Sequence, residues 1–188
     1  MMRNYSLHSI LLTVALALAL VACDEQSDSA PSVVSDALSV DLHTAVVSGD
    51  QAAVKAHIDA GSDLNVTEPF GGSSPLISAA LFDQTEIAAL LIGAGAKLDF
   101  TNRDGSTALH TAAFFGRPQI VDLLLSKGAD TTIKNNYGST AYDTVAAPFE
   151  QVKPFYDAIG QSLAPMGLQL NYEQLKTVRP VIAAKLQP

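Results

Sequence analysis

One spacing constrains this chain more than any other feature. From Gly105, Thr107, Ala108 and Leu109, a step of 33 residues back lands on Gly72, Ser74, Pro75 and Leu76, and the same step forward lands on Gly138, Thr140, Ala141 and Tyr142. Gly128 matches Gly95 at the same step, and a further step back, now of 34, carries Leu76 to Leu42, Ala79 to Ala45 and Gly95 to Gly61. A unit of this length is a single supersecondary element that cannot bury its own apolar face. Copies must therefore lie side by side, each covering its neighbour.

The third copy is the clearest. It reads Asn102-Arg103-Asp104-Gly105-Ser106-Thr107-Ala108-Leu109-His110-Thr111-Ala112, then Phe114-Phe115-Gly116, then Ile120-Val121-Asp122-Leu123-Leu124-Leu125 and Gly128-Ala129-Asp130. This succession of turn, short helix, tight turn and longer helix resembles an ankyrin repeat, whose helical pair opens on Thr-Pro-Leu-His-x-Ala. The resemblance covers residues 36–147, divided as 36–67, 68–101, 102–134 and a partial 135–147. It implies an all-α solenoid of about four helix-turn-helix repeats with β-hairpin-like loops.

The repeats depart from the pattern at definite places. In the first, Leu42-His43-Thr44-Ala45 stands for Leu-His-x-Ala, but Asp41 replaces the opening proline, and His57 occupies the slot of Leu91 and Leu124. Polar replacement suits the end of a stack, so His57 is expected as a half-exposed cap residue. In the second, Asp83 takes a turn position usually held by Gly, and Glu68 is read as the extra residue that lengthens the first spacing. Pro69-Phe70-Gly71-Gly72 would then be a flexible hairpin tip. His43 and His110 match the structural histidine that, in the family, ties neighbouring repeats by hydrogen bonds.

Residues 148–188 leave the period and read as a helical cap. Pro154 can open a helix to about residue 164, Pro165-Met166-Gly167 breaks it, Asn171 can cap another helix, and Pro180 restarts the last turns. Phe149, Val152, Phe155, Ile159 and Leu163 supply an apolar face.

The start of the chain has a different character. Arg3 is the only charge before the apolar run of residues 10–22, which is shorter than the roughly 20 residues that span a bilayer. It has the layout of a secretory signal. Leu20-Val21-Ala22-Cys23 resembles the bacterial lipobox, which implies a lipoprotein signal peptide at 1–22 and acylation of Cys23, the single Cys of the chain. No disulfide could then form, and the fold must hold by packing alone. Asp24 resembles an inner-membrane retention signal, and residues 23–35, rich in Ser, Asp, Gln and Pro, read as a disordered tether. The expected localisation is the bacterial cell envelope, facing the periplasm.

Charge narrows the partners. Lys and Arg number 11 against 19 Asp and Glu, a net charge of −8, which argues against nucleic acid and anionic lipid headgroups. No Gly-x-Ser-x-Gly elbow, His-Glu-x-x-His helix, Cys pair or Walker loop is present. The carboxylates Asp59 with Asp63, and Asp99 with Asp104, lack the ligand ladder of a calcium loop. No catalytic residue, cofactor or metal is therefore expected. By the resemblance, partners bind the concave face, which carries Phe70, Leu81, Phe82, Arg103, Phe114, Phe115 and Tyr137. The expected function is non-enzymatic binding of an envelope protein. The alternative is a small-molecule binder or hydrolase with a pocket between the last repeat and the C-terminal helices, near Tyr142, Asp143, Tyr156 and Arg179.

Overall fold

The computed structural model describes residues 38–188. The expected signal peptide, Cys23 and the tether lie outside them. In chain order the helices are α1 (Leu42–Ser48), α2 (Gln51–Asp59), α3 (Pro75–Leu81), α4 (Thr85–Gly93), α5 (Ala108–Phe114), α6 (Pro118–Ser126), α7 (Ala141–Ala146), α8 (Phe149–Leu163) and α9 (Tyr172–Leu186), with a 3₁₀ turn at Ala164–Met166. No strand occurs among the described residues.

Local chemistry starts each inner helix. Asp41, Ser74, Thr107 and Thr140 sit in extended backbone, and a side-chain oxygen of each accepts from the amide three residues on. Such a cap is worth about 1 kcal/mol. Asp41 indeed occupies the proline position of the repeat, yet it serves as the cap. Only 8 residues separate it from the left-handed turn at Gly49, against 9 from Ser74 to Asp83 and from Thr107 to Gly116. The first inner helix thus starts one position later in its repeat than the next two, and all three have 7 residues.

At Gly49, Asp83 and Gly116 the backbone turns through positive φ and sends the chain back as the outer helix. Asp83 is the non-glycine exception among the described residues, at φ 60. Inner helices α1, α3, α5 and α7 stack in sequence, and so do outer helices α2, α4 and α6. Between the layers lies one core, with Val46, Val54, Leu76, Leu91, Leu109 and Leu124 all sealed from water. Each such side chain contributes roughly 1.5–3 kcal/mol of burial.

The fourth repeat breaks where no left-handed turn follows α7. Ala147 and Pro148 are extended instead, so α8 leaves in a new direction. The position of a fourth outer helix is taken by α9, which packs on α7 and reaches α5 and α6. Its Ile182 and Leu186 join the main core, and Lys185 bonds both carboxylate oxygens of Asp122 on α6 at 2.6 Å.

Three expectations for this region are corrected. The first helix of the extension begins at Phe149, and Pro154 lies within it rather than opening it. Pro180 likewise lies inside α9, which runs through it. Phe155 points away at 63% exposure, while Tyr156 is fully buried. The stripe packed on the repeats is therefore the buried Tyr156 with the half-buried Phe149, Val152, Ile159 and Leu163. At about 100° per residue these five positions share an arc of roughly 80°, and Phe155 falls about 40° beyond its edge.

Candidate functional site

Tips and inner-helix ends sit at opposite ends of α3 and α5, so the residues expected on one concave face fall into two groups. At the tip end, the loops are tied rather than loose. Asn102 Oδ1 accepts from the amides of Asp104 and Ser106, and Asn135 Oδ1 from those of Tyr137 and Ser139. The amides of Asn102 and Asn135 donate to the carbonyls of Ser106 and Ser139.

Glu68 does this work in the second repeat. Its amide donates to Ser73 O, and its carboxylate accepts from the amides of Phe70, Gly71 and Ser73 at 2.6, 2.7 and 3.0 Å. Burial pushes the Glu68 carboxyl up, but the amides of Ser73, Phe70 and Gly71 outweigh it and hold it below its ordinary range. Two expectations change here. Glu68 is the counterpart of Asn102 and Asn135, and the extra residue lies beyond it, because five positions separate Glu68 from Ser73 where four separate Asn102 from Ser106. Glu is longer than Asn by one methylene, which lets it span the wider loop. The tip is accordingly stitched and not free.

Adjacent tips are also joined. Arg103 N donates to Gly71 O at 2.9 Å, and its guanidinium Nη1 donates to Phe70 O. Asn136 N donates to Asp104 O, and Asn136 Nδ2 to Arg103 O, both at 2.8 Å. Phe70 is 88% and Tyr137 76% exposed on this ridge, and Arg103 is exposed between them. Large aromatics held out in water on a tied backbone bury little surface within their own chain. Together with Arg they form the usual chemistry of a binding hot spot.

The other group is covered. Phe115 is buried at 7% exposure, which corrects its assignment to an open face. It lies in a second apolar cluster with Tyr156, Leu168 and Leu175, against which Leu81, Phe82 and Phe114 pack half-buried. Phe114 stacks on the Tyr156 ring with centroids 4.5 Å apart and an interplanar angle of 26°. Helix α8 covers these residues because the inner helices end there, under the chain that leaves α7.

The histidines among the described residues are structural in geometry. His110 Nε2 donates to Ser139 O at 3.0 Å, across the repeat boundary, while Nδ1 accepts from Thr107 Oγ1 at 2.9 Å. His43 Nε2 donates to Val66 O at 3.0 Å and so ties the first helix pair to the next loop. His57 is buried and not half-exposed: its Nε2 donates to Val40 O at 2.8 Å and its Nδ1 accepts from Ser62 Oγ at 3.0 Å. An imidazole that bonds at both nitrogens can replace the leucine of later repeats. Among the described residues, no group of three or more His, Cys, Asp or Glu is placed to hold a metal ion.

A groove of ≈420 Å³ opens between α7 and α9, lined by Tyr142, Val145, Phe149, Arg179, Pro180 and Ala183 among others. Arg179 and Tyr156 are hydrogen-bonded to each other, but Asp143 caps its own helix by accepting from Thr140 N and Oγ1 at 2.8 Å. No nucleophile and base come together in the quartet.

The family model described as ankyrin repeats, in three copies, matches residues 42–135, half of the chain. The chain belongs to the ankyrin-repeat family. Among solved structures, this ankyrin-repeat chain is similar to the ankyrin repeat domain of Bcl-3, described as a unique member of the IkappaB protein family. The two are 32% identical at a TM-score of 0.53, over 55% of this chain and 45% of that one. The chain thus spans less than half the length of that relative. No curated protein matches it. Ankyrin repeats are in general protein–protein interaction modules, and a tied ridge of exposed aromatics is what such a module presents. Sequence reasoning placed Phe70, Arg103 and Tyr137 but missed Glu68 and the buried role of Tyr156. A signal for Tyr156 existed, since it stands seven residues from both Phe149 and Leu163.

Proposed function

We propose that this ankyrin-repeat protein is a non-enzymatic binding module, anchored to a bacterial membrane through acylated Cys23, that holds an envelope protein against its tip ridge and the adjoining concave face. The observation that carries the reading is the joined ridge of Phe70, Arg103 and Tyr137, whose backbone is braced by Glu68, Asn102 and Asn135. Bracing lowers the ordering cost of association, which is where affinity is usually lost. The Leu20-Val21-Ala22-Cys23 segment supports the anchor, and Asp24 supports the inner membrane as its place.

A photo-crosslinking residue at position 70 in the native envelope tests the partner. A discrete adduct is expected, and it should vanish when Arg103 and Tyr137 become Ala with the helical spectrum unchanged. An adduct indifferent to those changes would sink the reading. Incorporation of alkyne-palmitate in wild type but not in Cys23→Ser tests the anchor separately.

The ≈420 Å³ groove between α7 and α9 favours a second reading, a small-molecule site. A ligand there would raise the melting temperature, and Ala146→Trp would abolish that rise.

A further inference from the structure

Helices α8 and α9 are both 15 residues long, yet they are held very differently. Four residues of α9 are buried, and two of these enter the main core. In α8 only Tyr156 is buried. The ion pairs of α8 do not reach the repeats: Lys153 pairs with Asp157 in the same helix, and Glu150 with Lys176 on α9. What joins α8 to the inner helices is the apolar stripe around Tyr156 and the hydrogen bond from its hydroxyl to Phe114 O. An element with so few buried contacts opens before the rest of a fold.

Beneath it lies an apolar surface that a repeat stack does not need for its own core. Phe114 meets Tyr156 face to face, Phe115 stands edge-on to Phe114 at 5.0 Å, and Leu81 and Phe82 pack against the same cluster. We propose that these inner-helix ends are a second docking site, for an amphipathic helix of a partner, and that α8 is its resident occupant. The occupant shows what fits: an aromatic ring at the centre of the stripe with aliphatic side chains four residues before it and three after, as Val152, Tyr156 and Ile159 stand. A partner helix with that pattern displaces α8 by competing for Phe114, and α9 stays in place because Ile182 and Leu186 remain in the core. A tethered arm competes at an effective concentration on the order of mM, so the resting chain excludes weak binders. This site is distinct from the tip ridge and does not depend on it.

The test uses a fluorescent peptide of residues 148–164 and the full chain. Tyr156→Ala should bind the peptide at least tenfold more tightly than wild type by anisotropy, because the resident helix loses its anchor while the peptide keeps its own. Adding Phe114→Ala should remove that binding, and Phe70→Ala with Tyr137→Ala should leave it unchanged. Equal binding to wild type and Tyr156→Ala, or none to the variant, overturns the proposal. Hydrogen exchange on wild type decides independently of whether the variant folds. Amides of residues 149–163 should exchange while those of α3 to α6 stay protected, and exchange of both sets at one rate overturns it.

Discussion

The phenolic oxygen of Tyr156 lies 2.6 Å from Nη1 of Arg179, in a site where both side chains are sealed from solvent. Arg179 also donates to Ala147 O at 2.8 Å and to Thr144 O at 3.4 Å, the last carbonyls around the end of α7. A buried guanidinium usually needs a carboxylate. Here its hydrogen-bond partners are a hydroxyl and the negative end of a helix dipole. The pair thus closes the repeat that lacks an outer helix of its own. Burial pushes the Tyr156 phenol up from its ordinary value, against the opposing pull of Arg179.

Removing the charge should cost more than removing the hydroxyl. Arg179→Met takes the guanidinium donors from the carbonyls of Thr144 and Ala147 and leaves the Tyr156 hydroxyl bonded to Phe114 O alone, an expected loss of about 2–4 kcal/mol in urea unfolding. Tyr156→Phe keeps the ring stacking and should lower the opening free energy of α8 by about 1–3 kcal/mol, read from amide exchange. In the double variant the two losses should fall short of additivity.

His110 should make stability depend on pH. Burial holds its pKa below the ordinary 6.5, outweighing the carbonyls of Ser139 and Ile133 and the charge of Asp143. Its Nδ1 also faces the Thr107 amide, which has no room for a second proton. Between the folded value and 6.5 the unfolded chain binds a proton that the folded chain does not. Stability is therefore full above that window and falls as pH drops through it, by up to about 1.4 kcal/mol per unit. His110→Gln should flatten this slope in urea titrations at pH 5 to 7, and an unchanged slope would place the dependence elsewhere.

Two glycines with similar backbone should respond differently to alanine. Gly116 (φ +66) and Gly128 (φ +84) both sit in left-handed turns, which an L side chain enters at about 1 kcal/mol. A Cβ on Gly128 meets nothing within 4 Å, but on Gly116 it comes within 2.8 Å of both Leu175 Cδ2 and Val178 Cγ2 of α9. Gly116→Ala should therefore cost a further 1–3 kcal/mol or so beyond Gly128→Ala. Equal losses by chemical denaturation would show that α9 yields at no cost.

The extension should be needed for solubility. Ile182 is fully buried in the main core, so Ile182→Ala should lose about 2–5 kcal/mol. A chain ending at residue 147 should aggregate, seen by light scattering, because the α7 flank covered by α9 meets water. A soluble, cooperatively melting truncation would contradict this.

The repeat spacing determined the stack and its helix pairs, and the family resemblance it supports implied the histidine ties. These follow from local periodicity and from contacts one repeat away, which the period itself predicts. Phe70 and Arg103 stand one 33-residue step apart, and Tyr137 one residue past the next step, so the family resemblance could carry all three onto the tips. Only the tertiary structure decided the rest. Phe114 and Phe115 are covered, α9 stands in for a missing outer helix, and Tyr156 meets Arg179, all through contacts between segments that share no period. Residues 148–188 carry no repeat, so their partners depended on how the chain left α7. That direction was settled by an extended Ala147-Pro148 where earlier repeats turn through positive φ.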